Sequence, residues 1–135
     1  ALYAYYAQIY LYVYSWALNL DPPRCRIKRE VNLLVPMSDG VMLSADLYRP
    51  RNDRKYPVII LRTPYWKRDP DHDYPKIARI FASQGYAVLV QDVRGKYGSE
   101  GIFEPFANEE KDGKETIEWA ANQDWSDGRV AMWGF

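Results

Sequence analysis

Apolar residues in this chain follow two repeating patterns, and their succession predicts its elements. Val58-Ile59-Ile60-Leu61 and Ala87-Val88-Leu89-Val90 are unbroken apolar runs, the pattern of strands covered on both faces. Val41 to Tyr48 instead alternates, with Val41, Leu43, Ala45 and Leu47 on one side. With a strand over Glu30–Pro36 and the turn Ser38-Asp39-Gly40, it reads as a hairpin. Between the runs the spacing becomes helical. Over Lys76–Gln84, Ile77, Ile80 and Phe81 stand at i, i+3 and i+4; Pro75 suits the first turn and Gly85 the stop. A second helix is capped by Asn108 and runs to about Asn122. Its inward stripe is Gly113, Thr116, Ile117, Ala120 and Ala121, small enough to sit close to a sheet. Val130–Trp133 predicts the last strand. The order β-β-β-α-β-α-β predicts an α/β fold, with a hairpin followed by parallel strands joined by right-handed crossovers.

The first twenty residues depart from this pattern. From Ile9 to Trp16 aromatics occupy every second position, Tyr10, Tyr12, Tyr14 and Trp16, with Ile9, Leu11 and Val13 between them. Period two predicts an extended strand. Ala1–Leu20 carries no charge, and Arg24, Arg26, Lys28 and Arg29 follow it, which also fits membrane contact. That second reading is the weaker, because the tyrosines with Gln8, Ser15 and Asn19 make a poor lipid-facing surface. A processed leader is a third reading, although a signal peptide's basic opening is absent from Ala1 onward. Asp21-Pro22-Pro23 ends the segment. The chain thus divides into residues 1–28, a Tyr-rich extension with a basic linker, and residues 29–135.

Composition narrows the function classes. Eighteen Lys and Arg balance eighteen Asp and Glu, which leaves no electrostatic case for nucleic acid binding. Cys25 is the single cysteine; it excludes an internal disulfide, leaves the compartment unknown and reads as a free surface thiol. His72, the one histidine, lies in Asp69-Pro70-Asp71-His72-Asp73. Three adjacent residues do not easily converge on one ion, so a solvated loop is expected, with no metal and no cofactor. Asp92 and Arg94 are expected to brace loops by ion pairs or backbone hydrogen bonds. Gly95, Gly98 and Gly101 match neither phosphate-binding fingerprint and are expected to form turns. The acids of Glu109-Glu110-Lys111-Asp112 suit the dipole of a helix's first turn. Trp66, Trp119, Trp125 and Trp133 are candidates to line a pocket; Trp133 reads as core on a central strand, and Trp66 as the substrate contact.

Four segments in order carry a family resemblance. They are Val35-Pro36-Met37-Ser38-Asp39-Gly40-Val41-Met42-Leu43 with Ala45-Asp46-Leu47-Tyr48-Arg49-Pro50; Arg62-Thr63-Pro64-Tyr65; Gln91-Asp92-Val93-Arg94-Gly95 with Gly98-Ser99-Glu100-Gly101; and Asp112-Gly113 through Trp119, then Gly128–Gly134. From about Arg29 the chain resembles the first half of the α/β-hydrolase domain of Xaa-Pro dipeptidyl-peptidases and cocaine-esterase-like serine hydrolases. The resemblance implies sheet order 1-2-4-3-5. It also implies hydrolysis of ester or amide bonds through an acyl-enzyme, on a small-molecule ester or peptide. Trp133-Gly134-Phe135 resembles the opening of the G-x-S-x-G turn, so the nucleophilic serine is expected directly after Phe135, with Asp and His further on. Residues 1–135 alone are therefore expected to be inactive, with the rest of the domain or a partner covering Val130–Trp133. Tyr65, after Pro64 at the carboxyl end of the third strand where α/β proteins place their sites, corresponds to the family's oxyanion-hole hydroxyl. The alternative is a non-catalytic interaction protein on a truncated hydrolase scaffold.

Overall fold

The computed structural model describes residues 2–134. Its elements are α1 (Leu2–Ala17), β1 (Ile27–Pro36), β2 (Met42–Pro50), β3 (Tyr56–Thr63), α2 (Tyr74–Ser83), β4 (Ala87–Asp92), α3 (Glu109–Ala121) and β5 (Ser126–Met132). The strands form one mixed sheet of order β1-β2-β4-β3-β5. β1 and β2 are the antiparallel hairpin, β2 runs antiparallel to β4, and β3 is parallel to both β4 and β5. Each parallel step is bridged by a helix, as strands with both faces covered require.

The unbroken apolar runs divide between two cores because successive strand residues point to opposite faces. Val58, Ile60, Ala87 and Leu89 join Leu43, Ala45 and Leu47 against Ala120 and Ile117 of α3. Ile59, Leu61, Val88 and Val90 join Tyr48 against Tyr74, Ala78 and Ala82 of α2. β4 is buried along its whole length. The small α3 stripe serves as expected: Gly113, Thr116 and Ala120 are buried. Pro75 stands in the first turn of α2.

Four expectations need correction. Residues 9–16 are helical, within α1, and not extended. A lone strand would leave its backbone groups unpaired, whereas a helix satisfies them internally. Leu11 and Ser15, one turn apart, are its buried positions among those described, and α1 lies on α2 with the Lys76 ammonium 4.3 Å from the centre of the Tyr14 ring. Asn108 stands at the start of α3 but makes no side-chain cap; its carbonyl accepts the Asp112 N–H. β5 is the edge of this sheet, and Trp133 lies just past it, half-buried against Phe81 at 6.4 Å. Cys25 is half-buried, its thiol 3.3 Å from the carbonyls of Ala82 and Ser83, and burial pushes its pKa up.

Candidate active site

The carboxyl ends of β3 and β4 lie side by side, with Thr63 opposite Asp92. From that edge β3 runs into Thr63-Pro64-Tyr65-Trp66-Lys67, which is folded turn by turn. The Thr63 carbonyl accepts the Val93 N–H at 3.0 Å. Its hydroxyl accepts the Tyr65 N–H at 3.0 Å, a Ser/Thr turn that reverses the chain around Pro64. The Trp66 carbonyl then accepts the Asp69 N–H.

Tyr65 stands at the head of this loop with 55% of its surface exposed. One face of its ring stacks on His72, with centroids 4.9 Å apart and planes 2° from parallel. His72 stacks in turn on Tyr74 at 5.5 Å, and its Nδ1 lies 2.8 Å from Asp69 Oδ2. The ring is therefore held by an aromatic column while more than half of the residue stays exposed. His72, expected in a solvated loop, is half exposed and supports Tyr65. Of its acidic neighbours, Asp73 pairs with Lys76 at 2.6 Å; the described residues contain no group of three or more metal-ligating side chains.

Below the loop is an ion pair that neither spacing nor composition suggests. Lys67, 2% exposed, places its ammonium 2.7 Å from Asp92 Oδ2 and 3.0 Å from the Ser44 hydroxyl. Its backbone N–H donates to Asp92 Oδ1 at 2.7 Å. The Ser99 hydroxyl donates to the Asp92 carbonyl at 2.6 Å and accepts the Ser44 N–H at 2.8 Å. Charges taken out of water need pairing and hydrogen bonds; here the ammonium has the carboxylate and a hydroxyl, and the carboxylate has the ammonium and two backbone N–H groups. Gly98 is required by the crowding: a Cβ there would lie 2.8 Å from the Ser44 hydroxyl and 3.1 Å from the Lys67 ammonium.

Asp92 and Arg94 act as braces, as expected. Arg94 forks onto the Asp112 carboxylate at 2.9 and 2.7 Å and reaches Asp39 at 2.9 Å. Asp112 therefore serves as a buried counterion as well as a helix-start acid. Arg62 links the same helix to the sheet through Gln91 Oε1 at 2.8 Å and Glu109 Oε2 at 2.7 Å. Burial lowers its pKa, against the pull of Glu109 and Asp112. Gly95 turns the chain with φ 69°, and a Cβ there would strike the Phe103 backbone N at 2.1 Å.

The tryptophans separate. Trp66 lies in the loop, 38% exposed. Trp119 and Trp125 pack on each other beneath α3, where the Trp125 carbonyl accepts the N–H of Tyr56, the first residue of β3. That is the opposite end of the strands from Tyr65, so these two pack half-buried against the core and line no pocket at the site.

A mixed sheet of this order, with helices on both faces and its loops gathered at the carboxyl ends of β3 and β4, defines the α/β-hydrolase class. The model of the X-Pro dipeptidyl-peptidase (S15) family matches residues 39–135. The chain belongs to this family of serine hydrolases and esterases. It is 44% identical over 105 residues to the cocaine esterase of Rhodococcus sp. (strain MB1 Bresler), a match covering 76% of this chain and 18% of that enzyme. A CocE/NonD family hydrolase from Staphylococcus aureus superposes with TM-score 0.67 at 28% identity, over 78% of this chain and 22% of the other. An aminopeptidase from a marine sediment Thaumarchaeota archaeon does so with TM-score 0.67 at 27% identity, over 82% and 21%. The chain thus spans about a fifth of the length of the relatives it matches.

Proposed function

We propose that this segment forms one wall of a serine-hydrolase site that cleaves ester or amide bonds through an acyl-enzyme, with Tyr65 donating its hydroxyl to the oxyanion. The observation that carries this reading is the exposed Tyr65 ring after the carboxyl end of β3, stacked on His72 at 4.9 Å in the loop that the buried Lys67–Asp92 pair anchors. The Trp133 N–H donates to the Ile60 carbonyl at 2.9 Å. That bond continues the parallel register of β5 on β3 by one residue. A serine directly following Phe135, at a sharp strand-to-helix turn, would attack the substrate carbonyl. The developing oxyanion would then receive the Tyr65 hydroxyl and the backbone N–H after the nucleophile. Histidine as base and aspartate as its orienting acid come from further along the family's chain order. Without them residues 1–135 carry no acyl transfer. The substrate is a small-molecule ester or peptide, and the remainder of the domain covers the Val130–Trp133 edge.

The test is Tyr65→Phe in the complete hydrolase that contains this segment. Losing one oxyanion donor costs about 3–4 kcal/mol in the transition state, roughly 10²- to 10³-fold in kcat. KM should change little, and a fluorophosphonate probe should still label the serine. A variant within about twofold of wild type in kcat would remove Tyr65 from the chemistry.

A further inference from the structure

We infer that Trp66 and Tyr97 form a stacking surface for a flat apolar group of the substrate, held in place by the Asp92 carboxylate. The inference rests on the proposed hydrolase reading and adds specificity-determining residues to it. Both aromatics have left-handed backbones, Trp66 at φ 80° and Tyr97 at φ 48°. Bulky side chains seldom adopt this region, and such strained positions cluster at functional sites. A single group accounts for both. Asp92 Oδ1 accepts the N–H of Lys67, the residue after Trp66, and Asp92 Oδ2 lies 3.3 Å from the N–H of Gly98, the residue after Tyr97. The two loops are thus drawn onto one buried carboxylate, and the residue preceding each anchor turns outward.

The outward rings meet. Their centroids are 6.1 Å apart with planes 29° from parallel. They stay open to solvent, Trp66 at 38% and Tyr97 at 62% exposure. Packing within residues 2–134 therefore does not explain why two aromatics stand at strained positions, one of them directly after Tyr65. Exposed ring faces attract flat apolar and aromatic groups by stacking. The group could belong to either side of the scissile bond, and the chemistry of recognition is the same.

The test uses the complete hydrolase and the variants Trp66→Gly and Tyr97→Gly, since glycine takes a positive φ without strain and the fold is retained. One arm compares methyl benzoate with methyl butanoate and so reads the acyl side. The other compares phenyl acetate with ethyl acetate and reads the leaving side. The expected result is a fall of about three- to tenfold in the aryl-to-alkyl ratio of kcat/KM, in one arm, for each variant. Ratios unmoved in both arms while turnover persists would overturn the stacking surface and leave the role of Tyr65 intact. No turnover of any of the four esters by wild type would overturn the stacking surface, and no labelling of wild type by a fluorophosphonate probe besides would overturn the hydrolase reading itself.

Discussion

Two buried carboxylates do most to shape the site, and each answers to several loops at once. Asp92 holds the Lys67 and Gly98 loops. Asp46, on β2, takes Arg29 at 2.6 Å, Arg68 at 2.8 Å and the Asn32 N–H at 3.0 Å. It thereby ties the segment beyond Tyr65 back to the hairpin. Burial alone would raise the Asp46 pKa; Arg68, Arg29 and the Asn32 N–H outweigh it and bring it from 3.8 down to about 2. A carboxyl depressed on folding adds stability above its unfolded pKa, and that stability disappears as pH falls through the folded one. The window is therefore about pH 4 to 2, and the amount about 2 kcal/mol. Urea unfolding across that range should show wild type losing more stability than Asp46→Asn; equal slopes would mean that other acids carry the effect. Sequence reading picked out Tyr65, Asp92 and Arg94, because their motifs are local. It passed over Lys67 and gave His72 no place under Tyr65, because a buried lysine and a ring under a tyrosine become visible only when the chain has folded.

At the scale of elements, α1 shows how a periodic signal can mislead. Aromatics at every second position from Tyr10 to Trp16 match a strand. The segment has no sheet neighbour, however, and the helix places Tyr10 and Tyr14 one turn apart, with ring centroids at 4.9 Å. Local hydrogen bonding decided the matter. α1 packs on α2 with the Tyr14–Lys76 contact and buries Leu11, so it should add stability without being required for the sheet. Removing residues 2–20 should cost about 2–3 kcal/mol, the worth of one buried leucine with its neighbours. Denaturant unfolding should stay cooperative, and loss of the cooperative transition would show that the sheet depends on α1. The strands and the other two helices were read more faithfully. Their signals, unbroken apolar runs and a Pro-to-Gly helix frame, reflect burial that the sheet itself creates.

For the molecule as a whole, the open side of β5 is the main unfinished surface. It pairs with β3 on one side only, and Met132 is 51% exposed. An uncovered strand edge is a template for pairing with another chain. Residues 1–135 produced alone should therefore associate with rising concentration in sedimentation velocity. A lysine at Ala131 should reduce that association, since an edge charge opposes strand addition. A monomer at all concentrations would show that the edge is already protected. Sheet order 1-2-4-3-5 agrees with what the motifs implied.

From the sequence alone came the α/β alternation, the hairpin, the family motifs and the tyrosine beside Pro64, because each is written in neighbouring residues. Tertiary structure alone decided which charges are buried together, which rings stack, and that the first segment is a helix. Those outcomes depend on contacts between residues far apart in the chain, such as Lys67 with Asp92 and Trp66 with Tyr97. The energy of the Lys67–Asp92 pair arises only once folding has removed water from around it.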